Sequence, residues 1–86
     1  MGTKKQKANW FIYILECGDG SLYTGITKDL ERRVQQHNDG KGSRYTRTHL
    51  PVKLCYSESC ATRSEALIRE AAIKTLPRTK KEELVS

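Results

Sequence analysis

Eighty-six residues of 9.8 kDa hold one core and leave no room for a second, and area scaling lets about 64% of the unfolded chain's surface be buried. With 36% hydrophobic and 30% charged residues the chain is globular in composition, and its longest apolar run, residues 10–15, is too short to span a membrane. A formal net charge of +6 favours polyanionic partners, and residues 1–9 hold no apolar stretch suited to a signal peptide, so a cytoplasmic protein is expected.

Residues 1–8 are polar and basic and are expected to form a disordered arm, with residues 9–86 as a single domain. Residues 10–17, W-F-I-Y-I-L-E-C, are aromatic and β-branched, which predicts a strand covered on both faces. Gly18-Asp19-Gly20 is a turn signal, and residues 21–27 return as the second strand of a hairpin. Thr27 can cap a following helix whose inward stripe is Leu30 and Val34 and whose stop is Gly40. A loop over residues 40–50 leads to a third strand at residues 52–56. Thr62-Arg63-Ser64-Glu65 fits a capping box opening a helix that runs to about Thr75. Pro77 breaks that helix, and Thr79-Lys80-Lys81-Glu82 fits a second box for a short last one. The order β-β-α-β-α-α predicts a small α+β domain on a mostly antiparallel sheet.

Cys17, Cys55 and Cys60 form an odd set without metal-type spacing, and His37 and His49 complete no ligand pattern, so free thiols and no structural zinc are expected. The chemistry lies elsewhere. A three-residue turn with Gly20 left-handed would set Leu15 opposite Tyr23 and Tyr13 opposite Gly25, so that both phenols leave one face and Gly25 leaves space beside Tyr13. A two-residue Asp19-Gly20 turn would put them on opposite faces, and strand tyrosines are often simple packing residues. Arg33 and His37, spaced i,i+4, share a helix face where an arginine can hold phosphate and a histidine can move a proton. A solvated Arg33, and a His37 charged beside the helix C-terminus, are the bland alternatives.

On the second long helix Glu70 falls among Ala66, Leu67, Ala71 and Ile73, so it must be paired, protonated or metal-bound; Lys74 is the ordinary partner. The loop holding Lys41, Arg44, Tyr45 and Arg47 mixes cations, small residues and an aromatic ring, a composition suited to phosphate contacts and base stacking.

Together, F-I-Y-I-L (11–15), L-Y-T-G-I-T (22–27), D-L-E-R-R-V-Q-Q-H-N (29–38), G-K-G-S-R-Y-T-R (40–47), P-V-K-L (51–54) and A-L-I-R-E (66–70) resemble the GIY-YIG nuclease family. The likeness covers nearly the whole chain from Trp10 onward and is nearest to small single-domain bacterial members, most of them uncharacterised. It implies a three-stranded antiparallel sheet flanked by three helices and divalent-metal cleavage of phosphodiester bonds. By position it makes Tyr13 and Tyr23 the two motif tyrosines, Gly25 the second motif's glycine, Arg33 the helix arginine, His37 the nearby histidine or tyrosine position, and Glu70 the metal ligand. Phe11 stands where the first motif has glycine. The resemblance implies an endonuclease with one Mg²⁺ or Mn²⁺ acting on nucleic acid, DNA ahead of RNA. No membrane association is expected, the chain is expected to be a monomer, and a protein partner could supply substrate recognition. A non-catalytic nucleic-acid-binding module and an adaptor are the rival classes, and the intact set Tyr13, Tyr23, Arg33, His37 and Glu70 argues against them.

Overall fold

The strand that reads as doubly covered lies at the centre of the sheet. The computed structural model describes residues 9–85; the expected basic arm over residues 1–8 lies outside them. The elements are β1 (Trp10–Glu16), β2 (Leu22–Thr27), α1 (Leu30–Asn38), α2 (Arg44–Arg47), β3 (Lys53–Cys60), α3 (Arg63–Lys74) and α4 (Arg78–Val85). The three strands pair antiparallel in the order β2-β1-β3. The expected order β-β-α-β-α-α is thus observed, with one-turn α2 added inside the long loop.

Gly18-Asp19-Gly20 makes the three-residue turn. Gly20 takes φ +87°, Cys17 N–H donates to Ser21 O at 2.8 Å, and Gly20 N–H donates to Cys17 O at 2.9 Å. That turn sets Tyr13 opposite Gly25 and Leu15 opposite Tyr23. Side chains alternate, so the two faces of β1 build two cores. Ile12 and Ile14 pack with Ala66 and Ile73 of α3, while Tyr13, Leu15, Cys17 and Val52 pack with Tyr23, Leu30 and Val34. Each fully buried aliphatic side chain is worth about 1.5–3 kcal/mol.

Helix α1 begins two residues later than a Thr27 cap would start it. Asp29, not Thr27, is its N-cap, accepting from Arg32 N–H, while Thr27 Oγ1 accepts from Asp29 N–H. It ends on Gly40 at φ +79°, with Lys41 N–H donating to Gln36 O and Gly40 N–H to His37 O, a Schellman stop. Strand β3 runs beyond the predicted residues 52–56 to Cys60, and a bulge interrupts its alternation: Ile14 faces Tyr56 and Leu15 faces Leu54, leaving Cys55 extra. Thr62 caps α3 as expected, accepting from Glu65 N–H at 3.1 Å. The second capping box does not form. Helix α4 starts at Arg78, and Lys80 and Lys81 N–H both donate to Pro77 O, which places Thr79 inside the first turn. The three cysteines are free thiols, and burial pushes those of Cys17 and Cys55 up, away from reactivity. Among the described residues no helix is long and apolar enough to cross a membrane.

Candidate active site

The register brings both tyrosines to the α1 face, and α1 meets them there. Tyr13 and His37 are 1% and 0% exposed. Tyr13 Oη lies 2.9 Å from His37 Nε2 and accepts from Arg33 Nε–H at 3.4 Å. Two further bonds hold the guanidinium in place, NH1 to Gln36 Oε1 at 3.1 Å and NH2 to Gly42 O at 3.3 Å. His37 Nδ1 is 2.7 Å from Thr46 Oγ1, and Tyr23 sets its ring edge-on to the imidazole at 5.3 Å.

Two glycines make this closeness available. A Cβ on Gly25 would stand 2.5 Å from Tyr13 Oη, and one on Gly42 would stand 2.1 Å from His37 Nδ1. The space expected beside Tyr13 at Gly25 is therefore filled by the phenol itself, which crosses over β2 toward the free edge of the sheet.

Hydrogen-bond bookkeeping assigns the tautomer. Arg33 only donates, so the buried phenol proton goes to the remaining neighbour, His37 Nε2. Nδ1–H then donates to Thr46 Oγ1, and the Thr46 hydroxyl is left to donate to Ser43, whose Oγ is 3.0 Å away. Burial, and then the Arg33 charge, bring His37 down to about 4, so it is neutral at pH 7; the helix C-terminus does not hold it as a cation. Burial also raises the Tyr13 phenol above its ordinary value. The hydrogen bond and charge of Arg33 oppose that rise, and Tyr23 and Glu70 add to it.

Glu70 stands apart from this cluster. It lies on the inner stripe of α3 between buried Ala66 and Ile73, whereas Leu67 and Ala71 face outward. Its carboxylate, 18% exposed, pairs with Lys74 Nζ at 3.4 Å. No hydrogen bond or ion pair among the described residues joins it to Tyr13, Tyr23, Arg33 or His37. Its charge adds to the rise of the Tyr13 phenol. A cleft of about 350 Å³ beside β2 is lined by Tyr23, Thr24 and Tyr45 and by Lys74 and Lys81 of α3 and α4.

Lys41, Arg44 and Arg47 surround a polar hollow of about 250 Å³ at the loop and α2, and all three are exposed. Tyr45 is already engaged: it stacks with Tyr23 at 6.1 Å and His49 at 4.1 Å and donates to Ser21 Oγ at 2.7 Å. A base stacking on Tyr45 must compete with those rings. Sequence reasoning missed Gly42 and Thr46; the usable signal was Ser43-Arg44-Tyr45-Thr46, a serine cap three residues before the hydroxyl that orients His37.

Tyr13, Arg33 and His37 are thus joined over Gly25 on an edge strand, beside a basic loop, in a fold of the GIY-YIG kind. The GIY-YIG catalytic domain family matches residues 9–83, and the chain belongs to it, within a nuclease superfamily whose fold implies nucleic-acid binding. It is similar to UPF0213 proteins. One from Desulfotalea psychrophila is 56% identical over 77 residues, covering 88% of this chain and 70% of that one. Another, from Staphylococcus saprophyticus, is 54% identical over 76 residues, covering 88% and 93%. The solution NMR structure of a UPF0213 protein from Bacillus halodurans superimposes with a TM-score of 0.58 at 47% identity, covering 90% of this chain and 82% of that one. That of a protein from E. faecalis gives 0.62 at 44%, covering 93% and 85%.

Such nucleases typically use a divalent metal ion. Among the described residues no group of three or more His, Cys, Asp or Glu gathers to cage one. The donors present fit a hard ion that keeps most of its water and takes phosphate oxygens: a single half-buried carboxylate, Glu70, paired with exposed Lys74.

Proposed function

We propose that this protein is a metal-dependent endonuclease that hydrolyses phosphodiester bonds in DNA, with Tyr13 activating the attacking water. The observation that carries this is the Tyr13 phenol held between Arg33 Nε and His37 Nε2, a donor on one side and a proton acceptor on the other.

Arg33 binds a non-bridging phosphate oxygen from a guanidinium that Gln36 and Gly42 keep in place. Tyr13 Oη takes a proton from water as its own proton passes to His37 Nε2. The water oxygen bonds to phosphorus, the bond from phosphorus to the leaving sugar oxygen breaks, and that oxygen takes a proton from solvent. The site then returns its extra proton to solvent. Left alone, this relay is uphill, because burial raises Tyr13 and His37 sits near 4. An anionic phosphate beside Arg33 offsets the charge that lowers His37, so bound substrate makes it a better acceptor. A divalent ion held by Glu70 would supply charge that stabilises the leaving oxygen and favours the phenolate. Thr46 keeps His37 in the accepting tautomer, and Tyr23 packs it in position. Lys41, Arg44 and Arg47 hold the backbone of the nucleic acid.

The test incubates the protein with labelled duplex, flap, junction and single-stranded DNA, with Mn²⁺ or with chelator. Cleavage should need Mn²⁺. Glu70→Gln should abolish it while binding in chelator holds or rises, since one repulsive charge is gone. Equal rates would remove Glu70 from the mechanism. Binding without cleavage of any substrate by the wild type would make this a binding module.

A further inference from the structure

We propose that the groove from Trp10 to Arg33 binds a single-stranded DNA segment beside the phosphate held at Tyr13, with an unpaired base stacked on Trp10. This rests on the nuclease reading and specifies what lies next to the cut. Trp10 is half-exposed at the start of β1, and with Ile26, Lys28, Arg32, Arg33 and Gln36 it frames a hollow of about 360 Å³ where β2 ends. Lys28 Nζ stands 5.4 Å from the centre of the Trp10 ring, and Arg63 Cζ 5.8 Å. An aromatic face ringed by cations is how proteins hold single strands, bases on the ring and phosphates on the cations. An exposed cation–π contact is weaker than base stacking, so a base can take the ring and release the cations to its phosphates. The acid in the groove, Asp29, is committed to capping α1 through Arg32 N–H.

Arg33 belongs to both places: its Nε reaches Tyr13 Oη while its side chain lines the groove. A strand whose scissile phosphate sits on Arg33 therefore has a path to Trp10 along the edge of β2. An intact duplex has none, because its base faces are already stacked.

Trp10 is the chain's one tryptophan, so its emission reports the groove directly. A short oligodeoxythymidylate in chelator should quench that emission, and blunt duplex should not. By anisotropy with a labelled oligomer, Trp10→Leu should bind about 5- to 150-fold more weakly, with Trp10→Phe close to wild type. Lys28→Ser/Arg32→Ser changes two exposed residues and should flatten the log–log salt slope by about 1.4. Emission that stays flat at saturation, equal quenching by duplex, or an unchanged affinity and slope in the double variant would overturn the groove. Flat emission with Mn²⁺-dependent cleavage intact would sink the groove and leave the nuclease standing. Quenching with no cleavage would do the reverse.

Discussion

Ile12 and Ile14 of β1 point toward α3 and meet Ala66 and Ile73, whereas Tyr13 between them points toward α1 and joins Arg33, His37 and Thr46. Both faces are buried, but they differ in what burial does. Among Ile12, Ile14, Ala66 and Ile73 it removes apolar surface from water. On the α1 face it closes a polar chain in which Tyr13, His37 and Thr46 each have at least two hydrogen-bond partners, and in the same act it moves Tyr13 up and His37 down. A small sheet can thus place chemistry one residue away from its hydrophobic support, because alternation sends neighbours to opposite sides.

The contrast breaks cleanly under substitution if it is real. Tyr13→Phe should lower the cleavage rate about 10²–10⁴-fold by removing the acid–base group. It should also cost about 1–3 kcal/mol, because His37 Nε2 is left buried without a donor. Ile14→Ala should cost about 2–5 kcal/mol in stability while the rate per folded molecule stays near wild type. Urea unfolding beside single-turnover cleavage reads both, and an equal rate loss in folded Ile14→Ala protein would erase the distinction between the faces.

The next effect separates the faces by pH. His37 falls from 6.5 unfolded to about 4 folded, so the unfolded chain binds more protons between these values. Its contribution to stability is complete above pH 6.5 and is lost as pH falls toward 4, by about 2 kcal/mol at pH 5. The side chains facing it are Arg33, Tyr13, Tyr23 and Thr46. Asp19 and Glu58, held low by Ser21 and Arg69, give up their contributions only below the ordinary carboxylate range. Urea titrations from pH 7 to 5 should therefore slope for wild type and run flat for His37→Gln. Ile14→Ala leaves His37 and its partners in place, so it should keep the wild-type slope.

What could be read from the sequence follows the same division. The hairpin register was legible because Gly18-Asp19-Gly20 allows few turns, and each turn fixes which residues share a face. The Thr62 cap and the Gly40 stop were legible because they use side chains and φ values that few residues supply. Helix α2 was not, since four residues carry no periodicity. The length of β3 was hidden because residues 57–60, S-E-S-C, hold no β-branched or aromatic side chain, and the bulge at Cys55 has no glycine or proline to announce it. The clustering of Tyr13, Tyr23, Arg33 and His37 followed from register and i,i+4 spacing. The hand of Thr46 on His37 did not, because it depends on how the loop folds back. Glu70 was rightly placed on the inner stripe, but Leu67 and Ala71, thought to share that side, face outward. The apolar stripe is narrower than it reads, and the carboxylate at its edge reaches Lys74.

The smallest effect bears on the weakest link between the two faces, the Glu70–Lys74 pair. Lys74 is 54% exposed and its ammonium lies 3.4 Å from the Glu70 carboxylate, so as an i,i+4 pair it is worth only about 0.3–0.5 kcal/mol. Lys74→Gln should cost no more than that in urea unfolding. If Glu70 holds the divalent ion, Lys74 competes for the same oxygens and its charge repels the dication. Its removal should then lower the Mn²⁺ concentration for half-maximal cleavage, by about two- to tenfold at low salt and less as salt rises. Lys74 also lines the cleft beside Tyr23 and Tyr45, so the same variant should bind single-stranded DNA slightly more weakly, its salt slope falling by about 0.7. A metal midpoint that does not move, with that slope change present, would mean that Glu70 serves Lys74 and the fold. The ion would then have to be held elsewhere, and the α3 face would be support alone.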